Sequence, residues 1–344
     1  MITQKAKQQI KNLISKNTFS EKPKILLALS GGPDSVFLFH ILKKINEEKS
    51  LGLICAHLNH EWRIESGNDQ MFCKKLCEKH NIQFFTSTAS ELNLNLKYNG
   101  SKEEIGRKLR RHFFEKIKNE QNCDFIATAH HQQDNFETFF LRLIRGCSLS
   151  GLTGIKEING KYLRPLLNLD KQEILNYLNQ NKIEYLIDPT NESDDFLRNR
   201  IRKYILPTFS KIDERANKKL ESSMQNLKEV DDFLQKIVIQ KFNEIFILRS
   251  SSNLRPGFGW QAERANKQKN CFVGNLNLFK KQDSFLQKQL ILHWLIQEKI
   301  QFNPSKSFIN EIIRFLNSKQ GGNHQTGSLW KIHKKERSFW INRF

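Results

Sequence analysis

The chain has 344 residues, 38% of them hydrophobic, which is enough for two domains with buried cores. Its 56 Lys and Arg residues outnumber its 36 Asp and Glu residues, so the formal net charge is +20. A small neutral metabolite does not require this excess, whereas a nucleic acid binds to such a surface with release of counterions. A general enrichment in lysine is the alternative explanation, and the size of the charge favours nucleic acid. No stretch reaches the roughly 20 apolar residues of a membrane span, so we expect a cytoplasmic protein without a membrane partner.

The first part of the chain alternates apolar runs with helical patterns. Residues Met1–Lys16 predict a short amphipathic helix. The predicted strands are Lys24–Leu29, Gly52–Leu58, Ile82–Ser87 and Phe125–Ala129. The predicted helices between them are Asp34–Asn46, Asn68–His80 and Lys102–Lys118. This alternation is typical of an α/β fold with a doubly wound parallel sheet.

The pattern changes in the second part of the chain. A Gly-rich turn at Gly146–Gly154 is followed by a basic segment without clear periodicity, and Asp213 to about Asn243 predicts a long helix. Short strands and helices follow to the end. We therefore divide the chain into a first domain, residues 1–211, and a smaller, mainly helical or mixed domain, residues 212–344. The motifs described below lead us to expect catalysis in the first domain and RNA binding in the second.

The turn after the first strand has the chemistry of a phosphate-binding loop. Gly31 and Gly32 let the backbone approach an anion, and the following helix N-terminus supplies positive potential. Hydroxyls add donors, and Asp34 can hold a magnesium ion. A simple capped turn is the alternative, which the preceding buried strand disfavours. We expect the nucleotide phosphates to be bound by Ser30, Gly31, Gly32, Pro33, Asp34 and Ser35.

Two further polar clusters follow predicted strands. His57–Arg63 comes after the second strand and His130–Glu137 after the fourth. In a parallel sheet, ligands bind outside the carboxyl ends of the strands. These clusters and the loop therefore predict one site at one edge of the sheet.

The order of the motifs identifies a family resemblance. S-G-G-x-D-S after an apolar strand is the signature of the N-type ATP pyrophosphatases. His57–Arg63 (HLNHEWR) resembles their H-x-N-H-x-x-R motif, and Thr128–Thr138 (TAHHQQDNFET) is similar to the next block. The series is completed in order by Arg164–Leu167, Asp188–Asn191 and Arg198–Arg202. Together these motifs resemble the tRNA(Ile)-lysidine synthase family.

This resemblance implies an ATP-dependent ligase with an adenine nucleotide α-hydrolase-like fold. The family joins free L-lysine to C2 of the wobble cytidine in the tRNA(Ile) with a CAU anticodon, through an adenylated tRNA, and releases AMP and pyrophosphate. It implies ATP and Mg²⁺ as cofactors, and a homodimer is compatible with the sequence. The implied nucleotide-binding residues beyond the loop are His57 and Asn59, and the implied metal ligands are Asp34 and Asp134. The implied catalytic residues are Asp34, Arg107, His130, Asp134, Glu137 and Arg200.

Several of these roles have alternatives in the sequence itself. Asp134 and Glu137 lie three apart on one helix, where they bind metal, receive the ammonium groups of lysine, or only cap the helix. His130 or His131 serves as acid or base, contacts phosphate, or is a buried structural histidine. Arg107 pairs with Glu104 or faces phosphate.

The basic segments allow two interpretations each. Arg200 contacts a substrate phosphate or the AMP leaving group, or belongs to a tRNA-binding surface. The run Lys331–Arg337 follows the tRNA backbone or is a solvated face. Gln133 stands where the family usually has an acid, which would leave magnesium to Asp34 and Asp134.

Two other functions compete with the ligase. A tRNA thiolase of the same class commonly carries cysteines at C-x-x-C spacing, and none of the six cysteines has that spacing. A non-catalytic tRNA-binding module would be expected to lose Asp34 or the loop glycines, and all of them are present.

Overall fold

The computed structural model describes residues 2–18, 20–63, 65–92, 94, 102–187, 194, 196–250, 270–300, 305–326 and 329–343. These residues form two compact units, Met1–Lys228 and Glu229–Phe344. The separation lies within one long helix, Ala216–Ile245. The functional division after residue 211 stays a prediction.

The first unit is built on a six-stranded sheet. Its strands are β1 (Lys24–Ala28), β2 (Gly52–Asn59), β3 (Gln83–Thr88), β4 (Phe125–Ala127), β5 (Ile158–Asn159) and β6 (Tyr162–Leu163), in the order β3-β2-β1-β4-β6-β5. All neighbours are parallel except β5 and β6. The chain leaves β1 towards β2 and later returns to its other side with β4. The sheet therefore reverses its winding beside β1, where α/β proteins place their ligands.

Helices cover both faces of this sheet. Up to residue 245 the α-helices are α1 (Ile2–Ser15), α2 (Pro33–Glu47), α3 (Ser66–Lys79), α4 (Lys102–Glu120), α5 (Gln132–Ile144), α6 (Leu149–Leu152), α7 (Lys171–Gln180), α8 (Leu197–Arg200), α9 (Leu206–Ile212) and α10 (Ala216–Ile245). Phe136 of α5 packs with residues of the last three helices in a separate core. On β1, Ile25 and Leu27 pack in a core with α1, α2, α3 and α7, whereas Leu26 packs in a second core with α4. Because successive side chains of a strand point to opposite faces, this alternation buries both faces.

The predicted doubly wound sheet is confirmed, and each predicted strand and helix of its first half is present within a few residues of its expected ends. The sequence did not predict the short antiparallel pair of β5 and β6. It also did not predict a π-helical turn, Ile201–Ile205, between α8 and α9. The motif Asp188–Asn191 and the segment Arg255–Trp260 lie outside the described residues.

The second unit combines an antiparallel sheet with three helices. Its strands are β7 (Phe246–Ser250), β8 (Asn270–Asn275), β9 (Gly322–Thr326), β10 (Trp330–Lys335) and β11 (Ser338–Arg343), in the order β7-β8-β11-β10-β9. The helices are α11 (Leu276–Lys280), α12 (Ser284–Gln297) and α13 (Lys306–Asn317). Trp294 and Phe339 are fully buried at its centre, with rings in edge contact. This mixed architecture agrees with the expectation for the C-terminal part.

Lys334 is buried in this second unit, although the sequence places it in a basic run. Its Nζ donates to the Phe315 carbonyl at 2.7 Å, and to the carbonyl and hydroxyl of Ser318 at 3.0 and 2.6 Å. Only 4% of the residue is exposed. The expectation that Lys334 tracks RNA is therefore wrong, because its ammonium group already hydrogen-bonds to three oxygens inside the unit.

Among the described residues, every helix is too short or too polar to span a bilayer.

We expect the fold to lose stability as the pH falls from about 6.5 to 4. Burial, reinforced by the nearby His80 and Lys43, lowers the pKa of His40 to about 4. In this window the unfolded chain binds a proton at His40 that the folded chain excludes, so acid favours unfolding. The melting temperature of His40→Asn should thus fall less between neutral and acidic pH than that of the wild type.

The exposed His112 supplies the matched control. His112→Asn should follow the wild-type melting profile at every pH. If His40→Asn follows it as well, burial of the His40 ring does not cause the acid sensitivity.

Candidate nucleotide-binding and catalytic site

The loop after β1 is held in a conformation that requires glycine at its centre. Gly31 has a φ of 83°, in the left-handed region, and a Cβ there would lie 2.8 Å from Cδ1 of Leu186. The Gly31 carbonyl accepts a hydrogen bond from the Leu186 amide at 2.9 Å. Both the backbone angle and the close packing therefore exclude a larger side chain at this position.

The two loop serines hydrogen-bond to each other. The Ser30 amide and hydroxyl donate to Oγ of Ser35 at 3.2 and 3.1 Å, and that hydroxyl donates to the Gly32 carbonyl at 2.9 Å. Ser35 is buried, whereas Ser30 is exposed. Ser35 thus shapes the turn, and α2 begins at Pro33, so that the unpaired N–H groups of its first turn offer an anion site.

His57 and Asn59 lie within the last three residues of β2, and His57 contacts the residue that precedes the loop. The His57 ring donates from Nδ1 to the Leu29 carbonyl at 2.9 Å, and burial lowers the pKa of His57, which keeps the ring neutral. The Asn59 side chain accepts from the Glu61 amide at 2.9 Å. Both residues are nearly fully buried. A direct contact of either residue with a nucleotide stays a prediction.

Two carboxylates approach the same ring nitrogen of His131. Nε2 of His131 lies 3.6 Å from Oδ2 of Asp34 and 3.5 Å from Oδ2 of Asp134. Asp34 belongs to the first turn of α2 and Asp134 to the first turn of α5. The structure therefore brings the phosphate loop and the segment after β4 together, at the carboxyl edge of the sheet, as the sequence predicts.

These two carboxylates have different electrostatic surroundings. Burial raises the pKa of Asp34, although His131 and Lys171 act against it. Burial would also raise the pKa of Asp134, but His131, Arg198 and the His131 amide stabilise its charge and lower the pKa to about 2. Asp134 is thus an anion throughout the physiological range.

Two arginines neutralise the carboxylates of α5. Arg198 donates from Nη2 to Asp134 at 2.8 Å and from Nε to Glu137 at 2.6 Å. Arg202 donates from Nε to the other oxygen of Glu137 at 2.6 Å. The Glu137 side chain has no exposed surface. Because Glu137 carries two charge-assisted pairs, it is poorly suited to receive an ammonium group as well.

Arg200, which the sequence analysis assigns to catalysis, is exposed. In a helical segment, residues four apart share a face and residues two apart do not. Arg198 and Arg202 therefore point together to α5, and Arg200 lies on the other side of the turn. The four-residue spacing of Arg198 and Arg202 was the signal that could have identified this pair in the sequence. A role of Arg200 on the substrate stays a prediction.

His130 lies among basic side chains. Its Nδ1 is 3.0 Å from the Thr128 hydroxyl, and burial, together with the charges of Arg164, Arg198 and Arg107, lowers the pKa of His130 to about 4. His130 is therefore a neutral hydrogen-bonding group at physiological pH. Arg107 itself is exposed on α4.

Arg164 offers a buried donor at this place. It is 8% exposed, and its Nη1 donates to the Lys156 carbonyl at 2.8 Å. Its Nε has no hydrogen-bond partner among the described residues. A buried guanidinium N–H without an acceptor is costly unless a ligand supplies one, so this donor suits an anionic or carbonyl group of a substrate.

Lys171 is a functional candidate that the sequence analysis missed. Its amide donates to the side-chain oxygen of Gln133 at 3.1 Å, and its Nζ lies 4.0 Å from Oδ2 of Asp34. Gln133, which stands in place of an acid, thus fixes the start of α7 so that a cation faces the phosphate loop. No local motif marks Lys171, because the contact joins α7 to α2 and α5 through the fold.

The site can be tested for its fit to Mg²⁺. Oδ1 of Asp34 is buried and has no hydrogen-bond partner among the described residues, whereas both oxygens of Asp134 accept hydrogen bonds. Within the described part of the chain, no three His, Cys, Asp or Glu side chains are grouped to hold a metal ion. Magnesium typically uses one or two carboxylates together with phosphate oxygens and water. Asp34 fits this role well, and Asp134 fits it less well.

Comparison with known proteins shows which family the first unit matches. The family profile of the PP-loop domain (ATP_bind_3) matches residues 2–209. A tRNA(Ile)-lysidine synthase of Petrotoga mobilis is 40% identical over 57% of this chain and 63% of its own length. One from Bacillus thuringiensis is 29% identical over 88% of this chain and 62% of its own length. The chain thus spans less than two thirds of these curated relatives.

A solved structure resembles the fold. The U34-tRNA thiolase of Methanococcus maripaludis, which contains a [4Fe-4S] cluster, superposes with a TM-score of 0.55 at 19% identity. The match covers 66% of this chain and 79% of the thiolase. At this identity the similarity concerns the fold and not the reaction.

Proposed function

Because this chain belongs to the PP-loop family of ATP-binding domains, we propose that it is an ATP-dependent ligase that forms lysidine in tRNA. It joins free L-lysine to C2 of the wobble cytidine of the tRNA(Ile) with a CAU anticodon, and it releases AMP and pyrophosphate. The observation that carries this proposal is the meeting of the phosphate loop, Asp34 and the arginine-paired Asp134 at one sheet edge. The names of the curated relatives support the same reaction.

The reaction needs two displacements. First, O2 of the cytidine attacks the α-phosphate of ATP, so that an O2–phosphorus bond forms and the bond to pyrophosphate breaks. Next, the ε-amine of lysine attacks C2 and loses a proton, and O2 departs as part of AMP. Adenylation is required because the original C2 oxygen is a very poor leaving group. The protein has to hold ATP, an unstacked base and lysine together.

The residues at the sheet edge fit the first displacement. The amides at the start of α2 and the Lys171 ammonium group offset the negative charge of the phosphates. A Mg²⁺ ion held by Asp34, with Asp134 as the second candidate ligand, would neutralise further charge on the phosphates. His130 is uncharged, so it can hydrogen-bond the base or the ribose without adding another cation. Nε of Arg164, which has no hydrogen-bond partner in the described part of the chain, supplies one more donor.

A cavity of about 230 Å³ beside these residues suits the amino acid. It is lined by His131, Gln133, Phe136, Glu137, Lys171, Arg202, Leu206, Pro207, Ser210 and Asn217. Arg202 can bind the carboxylate of lysine, and the apolar wall can bind its methylene chain. Because Glu137 is already paired with two arginines, we assign it to positioning Arg202 and not to the ammonium group.

Three of the six cysteines are unsuited to the chemistry of a thiolase. Burial raises the pKa of Cys73 and of Cys55 well above the usual range of a thiol, and Cys77 is buried beside them. Buried thiols with raised pKa values are poor nucleophiles and poor metal ligands. These three cysteines belong to the core on one side of the sheet.

Nucleoside mass analysis tests the proposal directly. The protein is incubated with ATP, Mg²⁺, isotopically labelled lysine and the CAU-anticodon tRNA(Ile), and the tRNA is then digested. We expect the cytidine mass to increase by that of labelled lysine minus water, together with release of pyrophosphate. Formation of thiocytidine when sulfide replaces lysine would favour the thiolase instead. If neither lysidine nor thiocytidine formed and ATP were not consumed, both proposed activities would be contradicted.

We also propose that the outer face of β10 contacts the tRNA backbone. Side chains alternate along a strand, so Lys331 and Lys335 lie on the face opposite the buried Lys334. Lys331→Gln combined with Lys335→Gln should weaken tRNA binding. The slope of the logarithm of the binding constant against the logarithm of the salt concentration should become smaller in magnitude by about 1–2. Filter binding over a salt series measures both effects.

Lys334→Met is the comparison variant. Removal of its ammonium group takes one hydrogen-bond donor from each of three oxygens at Phe315 and Ser318, which should reduce stability by about 1–3 kcal/mol without changing the salt slope. A salt slope that is unchanged in the Lys331 and Lys335 double variant would move the RNA contact elsewhere.

A further inference from the structure

An exposed tryptophan stands beside the candidate site. Trp62 follows β2 by three residues and keeps 42% of its surface exposed. The His60 ring stacks on it, with centroids 4.5 Å apart and planes inclined by 25°. Nζ of Lys102 lies 5.5 Å from the indole centroid. An aromatic ring backed by a second ring and accompanied by a cation is a surface on which a nucleobase can stack.

The backbone before Trp62 is fixed in an unusual conformation. Glu61 has a φ of 57°, in the left-handed region, which is uncommon for residues other than glycine. Its amide donates to the Asn59 side chain at 2.9 Å. Its carboxylate accepts from the amide and hydroxyl of Ser90 at 2.8 and 3.0 Å. These bonds anchor Glu61 on both sides, so Trp62 is presented on a rigid support.

The neighbouring helix is adapted to the indole ring. Gly106 lies in α4, and a Cβ at this position would overlap the ring of Trp62 and approach Cε1 of His60 to 3.3 Å. Glycine within a helix costs up to about 1 kcal/mol relative to alanine. Trp62, His60 and Gly106 therefore form a fitted set, which distinguishes Trp62 from an isolated apolar side chain on the surface.

Several basic side chains of α4 lie on the side of Trp62. Arg107 follows Gly106 on α4, and its charge acts on His130 and Arg164 in the candidate site. Arg110 lies one turn further along the helix and donates to the Gly106 carbonyl at 3.4 Å. Burial and the charge of Arg110 lower the pKa of His60 to about 4, so the ring that supports Trp62 is neutral. The α4 side of the site thus joins an aromatic ring to basic residues that suit a phosphodiester backbone.

We propose that Trp62 stacks on an unpaired base of the RNA substrate next to the base that reacts. This inference rests on the proposed function in that the RNA is its ligand. When the wobble cytidine is drawn into the site, its neighbours in the anticodon loop lose a stacking partner, and an aromatic side chain can replace it. We favour an RNA base over the adenine of ATP. The phosphates of ATP are expected at the phosphate loop, whereas the cations of α4 extend along that helix away from the loop.

The test compares Trp62→Leu with Trp62→Phe in the full chain. The probe is an RNA stem-loop with the CAU anticodon, and binding is measured by fluorescence anisotropy, with ATP affinity measured separately by calorimetry. We expect Trp62→Leu to weaken RNA binding about tenfold or more, Trp62→Phe to retain most of the affinity, and ATP affinity to stay unchanged. Thermal melting shows whether both variants fold.

A second arm uses stem-loops in which one loop base at a time is replaced by an abasic site. At one position the abasic RNA should bind the wild type and Trp62→Leu equally, because the stacking base is absent. Equal RNA affinity of the folded Trp62→Leu variant and the wild type overturns the proposal, as does a loss confined to ATP affinity. A wild-type protein that does not bind the stem-loop contradicts the proposed function as well, which separates the two failures.

Discussion

Asp34→Asn is expected to reduce tRNA-dependent pyrophosphate release from ATP by at least about a thousandfold. The change removes the negative charge that can hold Mg²⁺ on the phosphates while it keeps the size of the side chain. Oδ1 of Asp34, at the start of α2, is buried without a partner among the described residues, so this oxygen can accept a bond from a ligand. Pyrophosphate release is measured with tRNA, lysine and saturating magnesium, and tRNA binding is measured in parallel.

Glu47→Gln is the matched control, since Glu47 ends the same helix and its side chain is 59% exposed. This variant should retain wild-type activity. The raised pKa of Asp34, caused by burial, adds a pH signature: its anion is lost at a higher pH than that of an ordinary aspartate. The Mg²⁺ concentration needed for half-maximal activity should therefore rise as the pH falls. Equal loss of tRNA binding and pyrophosphate release in Asp34→Asn would contradict its assignment to the nucleotide.

Arg198→Ala is expected to have the second largest effect. Arg198 joins Asp134 to Glu137, whose side chain is fully buried, and its removal leaves Arg202 to balance both carboxylates. Breaking a buried ion pair at one partner costs about 3 kcal/mol or more. The free energy of unfolding should fall by this amount, and activity should fall about a hundredfold because Asp134 is no longer held beside Asp34.

The same substitution two residues along the chain is the control. Arg200→Ala should change stability by less than about 0.5 kcal/mol, because Arg200 is exposed. Denaturant unfolding and the pyrophosphate assay, applied to both variants, measure the difference. If Arg200→Ala lost activity with unchanged stability while Arg198→Ala stayed active, the sequence-based assignment of Arg200 would be right, and Arg198 would not be the arginine that positions Asp134 for the reaction.

The sheet and the place of the site could be predicted from the sequence for one physical reason. Strands of a parallel sheet that are buried on both faces form continuous apolar runs, and their carboxyl ends meet at one edge. The segments after β1 and β4 therefore had to be close, and His131 lies between Asp34 and Asp134 as a result. Motif order and strand order were sufficient for this inference.

The side chains that depend on helix phase or distant contacts were harder to assign. Helical spacing selects Arg198 and Arg202 over Arg200, but the start of α8 has to be known before this spacing can be applied. Lys334 follows the buried side of β10 by simple alternation, which a run of basic residues conceals. Lys171 reaches Asp34 because α7 packs near α2, and no pattern within its own segment predicts that contact.

The hydrogen bond between the Gly31 carbonyl and the Leu186 amide has a consequence for biosynthesis. The loop motif leaves the ribosome early. Leu186, whose amide bonds to the loop, is translated much later, after all strands of the six-stranded sheet. A nascent chain that ends before Leu186 carries the complete loop sequence but lacks the backbone donor that sets its shape. The ability to bind a nucleotide should therefore arise late in synthesis. A chain that is still incomplete should not bind ATP at this loop.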